Sequence, residues 1–271
     1  MQNITYCFPN GKTKVLTLSY DDGKIYDKPF LEIINKYNIK CTFNINSGLW
    51  GQDEGYGLRI AKEDILSTYE GHELAVHSLT HPTLTRLPKE QIVRQILDDR
   101  ENIEQILGRT VRGLAYPNVD GFNDQIKSLL PHLGIAYGRV TGCTENFLMP
   151  KDYYQWQFTC DHRHGLIQHA QDFIALNKPQ YLYMLSVYGH SVDFEKDKAW
   201  GILRDFCEIV YNQKDIWYAT NIMVVDYLKA LDNLRFAVDG SFVENPNALD
   251  LWINKGGRII RVEPGKTTSL I

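Results

Sequence analysis

The chain switches about seven times between a short run rich in β-branched or aromatic residues and a stretch with apolar positions at helical spacing. That alternation leaves few folds open, because parallel strands need long crossovers and the crossover helices must cover the sheet. Lys14 to Tyr20, Lys40 to Asn46, Glu73 to His77, Val111 to Tyr116, Ile135 to Val140, Gln155 to Thr159, Tyr181 to Tyr188 and Ile216 to Ala219 read as strands. Between them, helices are expected over Asp27 to Tyr37, Glu63 to Tyr69, Leu87 to Leu107, Asp124 to Leu133, Gly165 to Leu176, Lys198 to Tyr211 and Ile222 to Leu231. Leu87 to Leu107 is the clearest: Pro88 stands near its first turn, Ile92, Ile96, Ile103 and Ile106 recur on one side, and Gly108 follows its end. Asp27 is placed as the N-cap of the first helix. The pattern predicts an α/β chain with a parallel sheet closed, or nearly closed, as a barrel.

From about Asn233 the pattern changes to short strands over Arg235 to Val238, Ala248 to Ile253 and Arg258 to Val262, separated by Gly and Pro turns. We therefore expect a barrel over 1–232 and a small C-terminal β appendage over 233–271. The appendage's short strands would expose edges, so it is expected to pack on the barrel or to make a homo-oligomer contact.

A chain of 271 residues with 44% hydrophobic residues can bury a full core without disulfides or structural metals, so a bound metal would be functional. A net charge of −4 and the lack of a basic run argue against nucleic acid. No apolar stretch approaches the roughly 18 residues of a membrane span. Met1 to Tyr6 has no basic segment leading into an apolar run, so no secretory signal is expected. The five cysteines are odd in number, widely spaced and without a CxxC pair, which points to a reduced, cytoplasmic protein. Sixteen Tyr and five Trp suit either packing or sugar stacking, and composition does not choose between them.

Four motifs fall at the C-terminal ends of expected strands, where the loops of an α/β barrel converge. Leu18-Ser19-Tyr20-Asp21-Asp22 carries two adjacent carboxylates, which point different ways at a strand end and can do separate work. His77-Ser78-Leu79-Thr80-His81-Pro82 places two imidazoles four positions apart, a spacing suited to one ion. Ser78 stands where the zinc-protease pattern has Glu, which disfavours that class. Arg112-Gly113-Leu114-Ala115-Tyr116-Pro117-Asn118 ends a strand in a Pro turn, and Leu185-Ser186-Val187-Tyr188-Gly189-His190-Ser191 sets a His after a Gly in the barrel mouth. Taken singly, each is as readily structural.

In this order the motifs resemble the polysaccharide deacetylases, the family-four carbohydrate esterases, over roughly Val15 to Leu231. The resemblance implies a distorted (β/α) barrel of about seven units, in agreement with the independent count. It implies Asp21 as general base, Asp22, His77 and His81 as metal ligands, and His190 as general acid. The implied cofactor is a divalent metal, with zinc expected and other divalent transition metals also suited. The implied partner is an acetylated carbohydrate. Tyr116, Pro117 and Asn118 would line the substrate site, with a backbone N–H of this loop facing the oxyanion, and Trp156 and Tyr188 would stack on a sugar ring.

Two departures mark the chain as similar to a variant branch. The family's third motif has an Arg that orients the base; aligned on Pro117, that position is Ala115, leaving Arg112 and Arg139 as candidate substitutes. In place of the Asp-x-x-Asp-Trp motif stands Trp156-Gln157-Phe158-Thr159-Cys160-Asp161-His162, with His162 and His164 as further groups near the site. His72, His132 and His169 read as structural. The implied activity is metal-dependent hydrolysis of N- or O-linked acetyl groups. Two alternatives stay open: a same-fold hydrolase of a non-sugar C–N bond in an amide or ureide, and a catalytically silent sugar-binding domain.

Overall fold

The computed structural model describes residues 3–55 and 57–271; Met1 and Gln2, part of the N-terminal segment read above, lie outside them. In chain order the strands are β1 (Ile4–Cys7), β2 (Lys14–Asp21), β3 (Cys41–Ile45), β4 (Glu73–Val76), β5 (Gly113–Ala115), β6 (Tyr137–Cys143), β7 (Trp156–Phe158), β8 (Cys160–Asp161), β9 (Tyr183–Gly189) and β10 (Ile216–Tyr218). The C-terminal strands are β11 (Arg235–Phe236), β12 (Phe242–Glu244), β13 (Leu251–Lys255), β14 (Arg258–Val262) and β15 (Thr267–Ser269).

The main sheet runs in the order β7-β6-β5-β4-β3-β2-β9-β8, with β10 added beside the first half of β2, and its pairings are parallel. Its two ends, β7 and β8, are separated in sequence only by Thr159, whose N–H donates to Ser186 O of β9 at 2.9 Å. One stretch of chain thus pairs with β6 on one side and β9 on the other, and the sheet closes into a seven-stranded barrel if β7 and β8 are taken as one bent strand.

β2 is buried along its whole length, as a central parallel strand covered on both faces must be. Its alternate residues Leu16, Leu18 and Tyr20, with Cys41, Phe43 and Ile45 of β3, pack in the core shared with the outer helices. The intervening positions are polar and bond to one another: Thr17 Oγ1 to Asn221 Oδ1 at 2.7 Å, Thr42 Oγ1 to Glu73 Oε2 at 2.8 Å, and Asn44 Nδ2 to Ser19 Oγ at 2.8 Å. A polar interior is tolerable because these groups find partners. It also continues upward into Asp21, so the inner face of β2 ends on the candidate base.

The helix Lys89–Leu107 buries Ile92, Ile96 and Ile103 and ends at Gly108 with φ 64°, where the Gly108 N–H donates to Glu104 O at 2.8 Å. Asp99 shares that buried face. Asp27 is the first residue of its helix rather than the cap; its carboxylate is buried and accepts from Tyr69 Oη at 2.6 Å. The Tyr69 hydroxyl, a buried donor, engages the carboxylate in place of a cap N–H.

The C-terminal strands form two small antiparallel sheets, β11-β12-β15 and β1-β13-β14. The N-terminal strand β1, unrecognised in the sequence, pairs with β13 from Ile4↔Lys255 to Cys7↔Trp252, so the first residues of the chain complete a sheet of the last forty. Val243, Leu251, Ile253 and Val262 pack with Phe8, Val15, Ala136, Met184 and Tyr227 near the starts of the barrel strands, at the end away from the four motifs.

Candidate active site

The Asp-Asp pair splits as the strand ends. Asp21 is the last residue of β2 and points into the barrel, whereas Asp22 adopts φ 82° and turns toward the two histidines. Ser78 and His81 also sit in the left-handed region, at φ 67° and 57°. For residues with a side chain such conformations cost on the order of 1–3 kcal/mol each and persist only where the surroundings hold them.

One ligand-capable atom from each of Asp22, His77 and His81 lies within 4.8 Å of the others. His77 Nε2 is 4.0 Å and His81 Nε2 3.7 Å from Asp22 Oδ1. The His77 Nδ1 is 2.8 Å from Ala115 O. A carbonyl only accepts, so Nδ1 carries the proton and Nε2 keeps its lone pair for the cluster. Burial pushes the His77 imidazole down to about 4 against the pull of Asp21, which keeps it neutral, the form a metal binds. Behind it, Asp99 Oδ2 accepts the His77 N–H at 3.0 Å and Oδ1 the Ser47 N–H at 2.6 Å. Burial would push the Asp22 carboxyl up, but His77, His190, Arg59 and His81 together hold it near 2. An anionic carboxylate, a neutral imidazole with a fixed tautomer and a second imidazole form a donor set that fits a divalent ion.

Asp21 has a different partner. Arg139 of β6, 1% exposed, donates from Nη2 to both Asp21 oxygens, and Asn44 Nδ2 adds a bond to Oδ1 at 2.8 Å. Burial raises the Asp21 carboxyl, but Arg139, then His77 and His190, outweigh it and leave it below the usual carboxylate range. Arg139 therefore stands where an orienting cation is needed. Arg112 does not: it pairs with Asp226 on the helix Asn221–Asp232, at the far end of the barrel from Asp21. Arg112 precedes the three-residue β5, whose other end, Ala115, is the residue paired with Arg139.

His190 follows β9, with Nδ1 3.4 Å from Asp193 Oδ2. Burial lowers its basicity, but Asp193, Asp21 and Asp22 prevail and raise it to about 9, so it is protonated at neutral pH. A group with a raised value loses its proton as pH rises through that value. Asp193→Asn removes one of the carboxylates that raise it, so the alkaline limb of the pH–rate profile should move to lower pH; an unmoved limb would show that Asp193 does not tune His190.

The aromatic expectations need correction. Trp156 is 1% exposed and packs against Tyr137 and Phe158, with no face for a sugar. Tyr188 is 8% exposed, with the Arg139 guanidinium 5.0 Å over its ring and its hydroxyl accepting from Gly142 N. Tyr116 is buried too and donates its hydroxyl proton to Tyr154 O at 2.9 Å. Its N–H is committed to Arg139 O at 2.9 Å and Pro117 has none, which leaves Asn118, exposed at φ 63°, as the backbone donor of this loop. His162 lies beneath the site, stacked between Tyr20 and Phe194, and Gly189 must be glycine because a Cβ there would meet His162 Nδ1 at 1.8 Å. His164 is exposed beside Asp161.

Asp22, His81, Asn118 and His190 line an open cleft of about 580 Å³, together with Lys24, Arg59 and Arg163. A larger cleft of about 650 Å³ lies between β1 and Phe236–Val238, but no carboxylate, imidazole or cationic side chain lines it. Arg59, Asn44, Asn46, Asp99 and Asp193 were not found by motif. The alternation of polar Thr42, Asn44 and Asn46 along an otherwise apolar strand was the one available signal.

The fold and this cluster make an α/β-barrel protein with carboxylates and histidines gathered at the C-terminal ends of its strands. Residues 9–138, just under half of the chain, match the family model for polysaccharide deacetylase. Chitin deacetylase 1 of Cryptococcus neoformans is 30% identical over 123 residues, covering 44% of this chain and 24% of that protein. Peptidoglycan-N-acetylmuramic acid deacetylase PdaC of Bacillus subtilis is 32% identical over 117 residues, covering 42% and 23%. The matched stretch thus spans about a quarter of the length of these relatives. A Mycobacterium smegmatis structure described as a polysaccharide deacetylase superposes with a TM-score of 0.60 at 16% identity, covering 86% of this chain and 96% of that one. The Xyl-CE4 domain of a multidomain xylanase from the hindgut metagenome of Trinervitermes trinervoides gives 0.53 at 16% identity, covering 80% and 92%. These two share the fold.

Proposed function

We propose that this chain is a metal-dependent hydrolase that removes N- or O-linked acetyl groups from a carbohydrate. The observation that carries the reading is the convergence of Asp22, His77 and His81 within 4.8 Å beside a separate carboxylate, Asp21, gripped by Arg139. Asp22, His77 and His81 would hold the ion, with zinc the expected one. When bound, a divalent ion lowers the pKa of water, to about 7 in favourable zinc sites, and polarises a carbonyl. Asp21 is ionised at neutral pH and is the group that accepts a proton, with Arg139 fixing its orientation in place of the Arg missing at Ala115. His190 is protonated and reaches the cleft, where it can donate to the departing amine or alcohol. The Asn118 N–H is the candidate donor to the developing oxyanion. The named activities of the relatives, on chitin and on peptidoglycan, support a carbohydrate as substrate.

Five unpaired cysteines support a reducing compartment, and among the described residues no helix is long and apolar enough to cross a membrane. The test is acetate release from N-acetylated chitooligosaccharides and O-acetylated xylooligosaccharides, with zinc and with a chelator. Chelator-sensitive release is expected, and the preferred substrate separates amide from ester chemistry. No release from either, with metal bound, would shift the assignment to a non-sugar C–N bond.

A further inference from the structure

Arg59 belongs to none of the motifs, yet it is a buried cation, 3% exposed, reaching the Asp22 backbone. It comes from residues 57–60, which run back along Gly23–Ile25. Bridges join Lys24 with Arg59 and Asp53 with Leu58, the Ile25 N–H donates to Leu58 O at 2.9 Å, and the Ile60 N–H donates to Gly23 O at 2.9 Å. This docking turns the Arg59 side chain beneath the metal-ligand candidates. Its Nη1 donates to Asp22 O and, at 2.8 Å, to Asn46 Oδ1, and stands 3.5 Å from Asp22 Oδ1. Its Nε and Nη2 lie 3.2 and 2.9 Å from Glu54 Oε2, which balances the charge at the outer end. Asn46 passes the connection on: its Nδ2 donates to His77 O at 2.6 Å and to Ser78 O at 2.8 Å.

We infer that Arg59, acting through Asn46, is a positioning residue that sets Asp22 and the His77–Ser78 turn in ligand geometry. The inference rests on the metal-centre reading above. Two of the backbone conformations involved, Asp22 at φ 82° and Ser78 at φ 67°, need an external hold, and this bracket grips the carbonyls of both. Lysine cannot do the same work, because one ammonium on a flexible stem does not present a planar fork to Asp22 O, Asn46 and Glu54 at once. Arg59 itself donates no ligand atom; it acts through the groups it holds.

The experiment titrates the full chain, Arg59→Lys and Asn46→Ala with Co2+, following the visible absorption of the bound ion, and records thermal unfolding of each without metal. Both variants should bind Co2+ about 10- to 100-fold more weakly and with an altered visible band, the size of effect usual for groups that orient ligands. A merely structural role would lower the unfolding temperature while leaving the affinity and band of the folded protein as they were. Affinity within about twofold of the starting chain in a folded variant therefore overturns the inference, and Asn46→Ala decides it alone should Arg59→Lys fail to fold. Failure of the unsubstituted chain to bind Co2+ would be a different result, overturning the metal centre and the inference with it.

Discussion

Asp22→Ala should leave a folded chain that retains no metal through dialysis and releases no acetate above background. The carboxylate is the one anionic member of the ligand trio, 3.7 Å from His81 Nε2 and 4.0 Å from His77 Nε2, and the two imidazoles alone offer an ion no charge. The loss of affinity should exceed the roughly 100-fold that marks the upper end for groups merely orienting a ligand. Elemental analysis of the dialysed protein reads the result directly. Stoichiometric zinc in the variant would remove Asp22 from the ligand set. The variant should also fold readily, because an Asp held at φ 82° contributes strain that alanine does not deepen by much.

His190→Ala should lower kcat by about 10²- to 10⁴-fold with metal content unchanged, the usual range for a positioned acid. The loss should depend on the leaving group. An amine must be protonated to depart, whereas an activated phenyl ester needs no help, so the variant should be crippled on N-acetylated sugars and much less impaired on an aryl acetate. Equal loss on both would assign His190 to binding or structure. The protonated state that this role requires follows from Asp193 at 3.4 Å and the two motif carboxylates, which overcome the opposing effect of burial.

These two predictions use residues legible in the sequence, and the reason lies in local geometry. His77 and His81 are only four positions apart in the chain, so their pairing was visible as a motif although left-handed Ser78 and His81 replace a helical turn. Asp21 and Asp22 straddle a strand end, so their divergence follows from the backbone. The barrel was legible for a similar reason: strand and helix periods are local properties, and the order of alternation restricts the topology. The C-terminal β structure was legible only as short strands between turns. Its real organisation depends on β1, a strand with no strong alternation that is recruited by β13 across almost the whole chain.

The repeating strand–helix plan, the position of each motif at a strand end and the chemical types gathered there are written in local residue patterns. Which arginine faces Asp21 depends on long-range packing. Arg112 and Arg139 were equivalent as letters, and barrel closure brought Arg139 alone inward onto the carboxylate while Arg112 paired with Asp226. Tertiary contacts also make Trp156 and Tyr188 packing residues, because burial is set by the neighbours of β7 and β9 rather than by the aromatic ring itself. Arg59 shows the same limit most plainly. Its place beneath Asp22, thirty-seven positions away, comes from the pairing of Leu58–Ile60 with Gly23–Ile25, a long-range contact that no local period encodes.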